Sequence, residues 1–243
     1  MFSFESPAQL EKASTTEETI SESEQLRRFQ FEVPGALDVL RRQFHLDHWE
    51  RYPASVLANM YDEKEERGNW GVMIYPKEDW NGAFKHSKQI TGLNEVVRKT
   101  HNLRIVECGS AEEASDILKE LAGKYGPASF AVVCGHGTEE AVHFGDNEEE
   151  LLTKSVAEDQ FGKALGDSLK AGSEVCLCSC STAAEGGIAE NISDTSGHTV
   201  HGPEVPTNMK SFGARVKGDR VEFHPQYVEG AGRSVNPGQP REQ

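Results

Sequence analysis

From Asn69 onward the chain alternates short, wholly apolar blocks with amphipathic stretches, and that alternation restricts its folding more than any other feature. The blocks WGVMIY, FAVVC and VCLC have no polar face, as expected of strands buried on both sides. Between them, AEEASDILKELAGKY at 111–125 spaces its apolar residues for one face of a helix. Strands that alternate with helices imply βαβ units with right-handed crossovers and a parallel sheet. The pattern predicts strands near 70–76, 102–108, 129–135, 174–180 and 198–202, with helices near 88–100, 110–124, 157–171 and 184–194. In SFGARVKGDRVEFHP, Gly218-Asp219 separates two alternating runs, the signature of a β-hairpin. The expected fold class is α/β: three layers, a mainly parallel central sheet flanked by helices, and a C-terminal β-hairpin.

The flanks read differently. Residues 1–30 are rich in Ser, Thr and Glu and poor in apolar anchors, the composition of a disordered acidic tail. Residues 31–68 contain ALDVLRRQF and ASVLANMY at helical spacing, a helical extension ahead of the α/β domain at 69–228. Residues 229–243, with GAGRSVNPGQPREQ, are expected to be a second disordered tail.

Composition narrows the partners. A net charge of -15 repels phosphate backbones, so nucleic acid is not an expected partner. The acidic runs Asp62 to Glu66 and Asp146 to Glu150 read as solvated faces. No apolar run reaches the roughly 18 residues of a membrane span, and the N-terminus lacks the basic and apolar regions of a secretory signal. Five cysteines, an odd number crowded into apolar stretches, suit reduced thiols in a cytoplasmic protein.

Two of the apolar blocks end in reactive chemistry. FAVVC runs into Gly135-His136-Gly137, where the glycines permit a tight turn and close approach to the imidazole. EVCLC runs into Ser179-Cys180-Ser181 and then towards a helix. In a parallel sheet such ends gather at the carboxyl edge, where sites are built. A thiol just before a helix N-terminus and near a histidine has its thiolate favoured by both, so Cys180 and His136 are the candidate catalytic pair. Gly135, Gly137 and the amides around Cys180 are candidate oxyanion donors. Cys176 and Cys178 share the strand face of Cys180 but precede its end, and with Cys134 and Cys108 they read as buried structural thiols.

These residues resemble the clan of cysteine peptidases that holds caspases, legumain, gingipains, clostripain and separase. The shared pattern is an apolar block ending in His-Gly and a second ending in a small residue and Cys, here AVVC-Gly135-His136-Gly137 and VCLC-Ser179-Cys180. The separation is close to the roughly 50 residues of caspases. The likeness covers about 70–225 and implies a caspase-like fold and a cysteine endopeptidase acting on a protein or peptide without a cofactor. It also implies an orienting residue after the first strand, Asn81 or Asp79, which a helix cap or turn explains equally well. An acidic residue near the pocket, Glu204 or Glu185, would then favour a basic side chain before the scissile bond. The caspase signature Gln-Ala-Cys-x-Gly is absent, so preference for aspartate does not carry over.

Three other readings stay open. One is a catalytically inactive caspase-like binding or regulatory module, and another a thiol-dependent acyltransferase or deamidase using the same pair. The third is zinc on Cys176, Cys178 and Cys180. Successive thiols on one strand face lie roughly 6.5 Å apart and converge poorly on a tetrahedral ion, so no metal is expected. His45 and His48, three apart on a predicted helix, read as surface histidines.

Overall fold

The computed structural model describes residues 35–61, 68–79, 87–145, 147 and 150–238. The predicted tail 1–30 and the run Asp62 to Glu66 lie outside them.

The apolar blocks become β1 (Asn69–Pro76), β2 (His101–Cys108), β3 (Ala128–Val133), β7 (Leu169–Leu177) and β8 (Thr199–Pro203), which run parallel. A sixth strand, β13 (Gly232–Val235), pairs antiparallel with β8, and the order across the sheet is β13-β8-β7-β3-β1-β2. The protein is thus α/β with a mixed, mostly parallel central sheet. From β1 the chain steps outward to β2, then returns past β1 to β3 and continues the other way. This reversal leaves a crevice at the carboxyl ends of β1 and β3, the usual ligand position in such sheets.

Right-handed crossovers with that strand order place α3 (Ser87–Val97) on one face and the later helices on the other. The later helices are α4 (Ala111–Tyr125), a continuous run made of α5 (Lys154–Val156), a π-helical segment (Ala157–Phe161) and α6 (Gly162–Ser168), and then α7 (Ile188–Ser196). Helices α4, α6 and α7 pack in a row. Ser110 caps α4 by accepting from Glu113 N at 3.1 Å. The Glu113 carboxylate accepts in turn from Gly109 N at 2.7 Å and from Lys77 Nζ at 2.5 Å.

The helical extension is present within 35–61 as α1 (Ala36–Phe44) and α2 (Ala54–Tyr61), both packed on β2. Glu107 fastens it there. Its fully buried carboxylate accepts from His48 N at 2.9 Å and from the Tyr52 hydroxyl at 2.8 Å. The His48 side chain is partly exposed, and its ring Nδ1 also lies 3.2 Å from the Glu107 carboxylate.

Several expectations shift. The helix predicted over 157–171 occupies 154–168, and β7 begins at Leu169 rather than near 174. The helix predicted over 184–194 begins at Ile188, after a turn. The hairpin is where Gly218-Asp219 put it, as β10 (Arg215–Lys217) and β11 (Arg220–Glu222), with Gly218 at φ 66°. The small antiparallel sheet β4 (His136–Gly137), β5 (Ala141–His143) and β6 (Leu151–Thr153) was not predicted, because strands of two or three residues carry no readable alternation. The same holds for β9 (Met209–Ser211) and β12 (Gln226–Tyr227).

The predicted disordered tail at 229–243 needs correction, since it supplies β13. Its register runs Gly232↔Pro203 to Val235↔Val200. Val235 is the strand's only large apolar anchor, and backbone pairing with β8 substitutes for a hydrophobic pattern.

Phe130 at the centre of the sheet depends on a missing side chain. A Cβ on Gly71 would lie 2.1 Å from the Phe130 ring, and that ring stacks edge-on against Phe223 behind the hairpin with centroids 5.7 Å apart. Gly71→Ala is therefore expected to cost about 1–3 kcal/mol by forcing the ring from its site. Urea unfolding checks this, and an unchanged midpoint would contradict it.

Candidate active site

Strands β1, β3 and β7 end together. Cys134 N donates to Ile74 O and Cys178 N to Val133 O, each at 2.8 Å, so the loops after the three strands leave from one edge. Past β3, Gly135 lies so close to β5 that a Cβ would sit 2.6 Å from His143 O and 2.7 Å from Val142 Cγ1. His136 then pairs with His143, and Gly137 with Val142. The glycine pair thus turns the chain sharply from a parallel strand into an antiparallel hairpin.

Gly137 delivers this hairpin to the cysteine. A Cβ built on it would stand 2.6 Å from Cys180 O, 2.7 Å from Cys180 N and 2.7 Å from Ser179 Cβ. The backbone beside His136 therefore touches the backbone of Cys180. Gly135 faces β5 instead, so of the two glycines proposed to support an oxyanion it is Gly137 that meets the cysteine.

Cys180 lies in an irregular turn between β7 and α7. Ser181 takes a left-handed conformation at φ 55°, uncommon for a residue with a side chain. The Thr182 hydroxyl donates to Ser179 O at 2.8 Å, and Ala183 N donates to Pro203 O at 3.0 Å. Ser179, Ser181 and Thr182 are 1%, 8% and 0% exposed, which leaves half-buried Cys180 as the accessible nucleophile of this turn.

The expected helix-dipole assistance needs correction. Helix α7 starts well beyond Cys180, and the first amides of the helix are already used: Ile188 N donates to Glu139 O at 2.9 Å and Ala189 N to Thr182 O at 3.0 Å. A dipole acts over about one turn, so that of α7 does not reach Cys180.

The loop after β8, within the 201–210 segment that the resemblance assigns to part of the specificity pocket, closes the other side. The Cys180 thiol donates to Thr207 O at 3.4 Å, and Ser181 N donates to Val205 O at 3.3 Å. The Ser181 amide is therefore engaged, leaving Cys180 N, against Gly137, as the oxyanion candidate of this turn. These contacts come from backbone carbonyls, which no residue pattern announces.

The remaining candidates are scattered. Glu185 is exposed in the Cys180 turn, and Glu204 is half-buried in the Thr207 loop with its amide donating to Ala231 O at 3.2 Å. Asp79 is half-buried just past β1, on the same edge, and Asn81 lies outside the described residues. His45 ends α1 in a left-handed conformation at φ 52°. No group of three or more His, Cys, Asp or Glu side chains among the described residues is placed to hold a metal ion.

All five cysteines are thiols, and four are unsuited to reaction. Cys108, Cys134 and Cys176 are buried, and burial pushes the Cys108 thiol far above its ordinary range. Cys178, expected to be buried, retains some exposure. Its thiol is nevertheless pushed well up, first by burial and then by hydrogen bonds with Cys134 and Cys176. Limited iodoacetamide treatment of the native protein is therefore expected to modify Cys180 first, as peptide mass mapping would show. Earlier modification of Cys178 would move the reactive centre to the wrong thiol.

Residues 102–216 match a family model described as a domain of unknown function (DUF8616), and this span holds both His136 and Cys180. No curated protein matches the chain.

Proposed function

We propose that this chain is a cysteine endopeptidase of caspase-like, three-layer architecture, with Cys180 as nucleophile and His136 as its acid-base partner. The observation that carries the reading is the seat of Gly137 on the Cys180 backbone, which joins the two loops at the carboxyl edge beside the sheet's reversal point.

In the proposed reaction, His136 takes the Cys180 proton and the thiolate adds to the peptide carbonyl carbon. The Cys180 amide donates to the oxyanion. Collapse of the tetrahedral adduct breaks the carbon–nitrogen bond, and His136 returns the proton to the departing amine. Water then attacks the thioester, losing its proton to His136, and the acid leaves as the thiol is restored. Glu204 or Glu185 favours a basic residue before the scissile bond. The partner is a protein or peptide rather than a nucleic acid, and the thiols suit a cytoplasmic setting. No helix among the described residues is long and apolar enough to cross a membrane.

One observation favours a second reading, an inactive binding or regulatory module: the Cys180 thiol is already bonded to Thr207 O. For catalysis it must exchange that carbonyl for His136, whereas a binding module needs no such change. A thiol-dependent acyltransferase or deamidase would share the first half of the reaction.

Substitutions separate these readings. With a peptide-library substrate that the parent cleaves, Cys180→Ala is expected to lower kcat by at least about a thousandfold, with His136→Ala close behind. The double variant should lose little more, because nucleophile and base act as one unit. Gly137→Ala is expected to fall with them by wedging the loops apart, while Cys178→Ala spares turnover. Full activity in Cys180→Ala would end the mechanism, and a parent that cleaves nothing in a broad library would favour the binding module.

A further inference from the structure

The turn that carries Cys180 buries Ser179, Thr182 and Ala183 in its near half, while Glu185 and Gly186 in its far half are exposed. It contains a left-handed Ser181 and a left-handed Gly186, at φ 71°. Its far half is held by an ion pair reaching in from the end of the chain. The Glu190 side chain, in the first turn of α7, is only 7% exposed. One of its carboxylate oxygens accepts from Gly186 N at 3.1 Å and from Arg233 Nη1 at 2.6 Å. The same Arg233 nitrogen donates to Ala184 O at 3.4 Å. Ala184 and Gly186 both belong to the turn, and Arg233 belongs to β13.

Strand β13 brings Arg233 to this place by its register. Arg233 pairs with Gly202 of β8, and Gly202 lies under the same turn, where a Cβ would stand 2.9 Å from Thr182 Oγ1 and 3.1 Å from Ala183 Cβ. The near half of the turn is fastened to β8 and its loop through Ala183 N and Ser181 N. The far half is fastened to β13 through Arg233. A buried carboxylate that loses its cation is left uncompensated, so removing Arg233 releases more than one hydrogen bond.

We propose that Arg233, acting through Glu190, is a positioning residue that holds the Cys180 turn against Gly137 and hence beside His136. It touches no reacting atom. The proposal rests on the reading of Cys180 and His136 as a pair, and it makes the C-terminal strand part of the catalytic apparatus. Displacements of about 1 Å at a reacting group can cost a hundredfold in rate, so a turn whose far half is exposed gains from an outside brace.

Two measurements on the full chain test this without a known substrate. The first is hydrogen–deuterium exchange across 181–187, where Arg233→Met should exchange at least about tenfold faster and Arg233→Lys should recover most of the protection. The second is the rate of Cys180 alkylation by iodoacetamide at one fixed pH, read by mass. His136→Ala should slow it at least about tenfold, and Arg233→Met should slow it by a comparable factor as the thiol leaves His136. Arg233→Lys should keep the parent rate. If Arg233→Met fails to fold, Glu190→Gln removes the charge at nearly constant shape and should show both changes. Exchange in the turn that matches the parent, or a rate that His136→Ala lowers and neither Arg233→Met nor Glu190→Gln does, overturns the positioning role alone. A rate that His136→Ala leaves unchanged overturns the Cys-His reading itself, and a role in positioning that pair falls with it.

Discussion

Strand β3 is the member on which the meeting of Gly137 and Cys180 depends. It lies between β1 and β7, and the bonds from Cys134 N to Ile74 O and from Cys178 N to Val133 O make β3 and β7 stop level with Ile74, just before β1 ends at Pro76. A one-residue slip would move every side chain of a strand to the opposite packed layer, so that level is set by the whole core. The loops after β3 and β7 must then leave side by side, and Gly137 and Cys180 meet as a result. The missing Cβ atoms of Gly71, Gly135 and Gly137 do the remaining work, each admitting a neighbour that would otherwise be excluded.

The strands of this frame were legible because burial on both faces demands uninterrupted apolar runs, and VCLC or FAVVC can be little else. That His136 and Cys180 lie past the ends of two such runs was legible for a related reason, although β7 stops at Leu177 and leaves Cys180 in the turn beyond rather than at the strand's end. What escaped were parts built from backbone bonds. Strands β4, β5 and β13 are too short or too polar to show a period, and the carbonyls of Val205 and Thr207 belong to residues whose identity says nothing of their role. Arg233 and Glu190 are individually ordinary. Only the register of β13 on β8 makes them neighbours.

The two flanks of the five parallel strands are covered by different means. Helices α1 and α2 pack on β2 through apolar faces and through the buried Glu107 carboxylate, which replaces its water with the Tyr52 hydroxyl and the His48 amide. At the opposite edge β8 is covered by β13 through main-chain bonds. The first device places polar groups in the core and requires each to find a partner. The second uses few buried side chains, which explains how a segment as polar as GAGRSVNPG stays ordered.

The position of the Cys180 thiol follows from these constraints. The turn is pinned from below by Gly137, from one side by the loop after β8, and from the far side by Glu190 and Arg233. With the backbone held at three places, the thiol hydrogen bond to Thr207 O is the softest contact in the neighbourhood, because a neutral S–H is a weak donor. Rotation about the Cys180 side chain alone moves the sulfur off that carbonyl, without disturbing a strand or helix. The two functional readings therefore differ by little in energy at this one bond. What separates them is whether a bound peptide offers the sulfur a better partner than Thr207 does, and a carbonyl carbon that becomes covalently bonded to the thiolate far exceeds a weak hydrogen bond in strength.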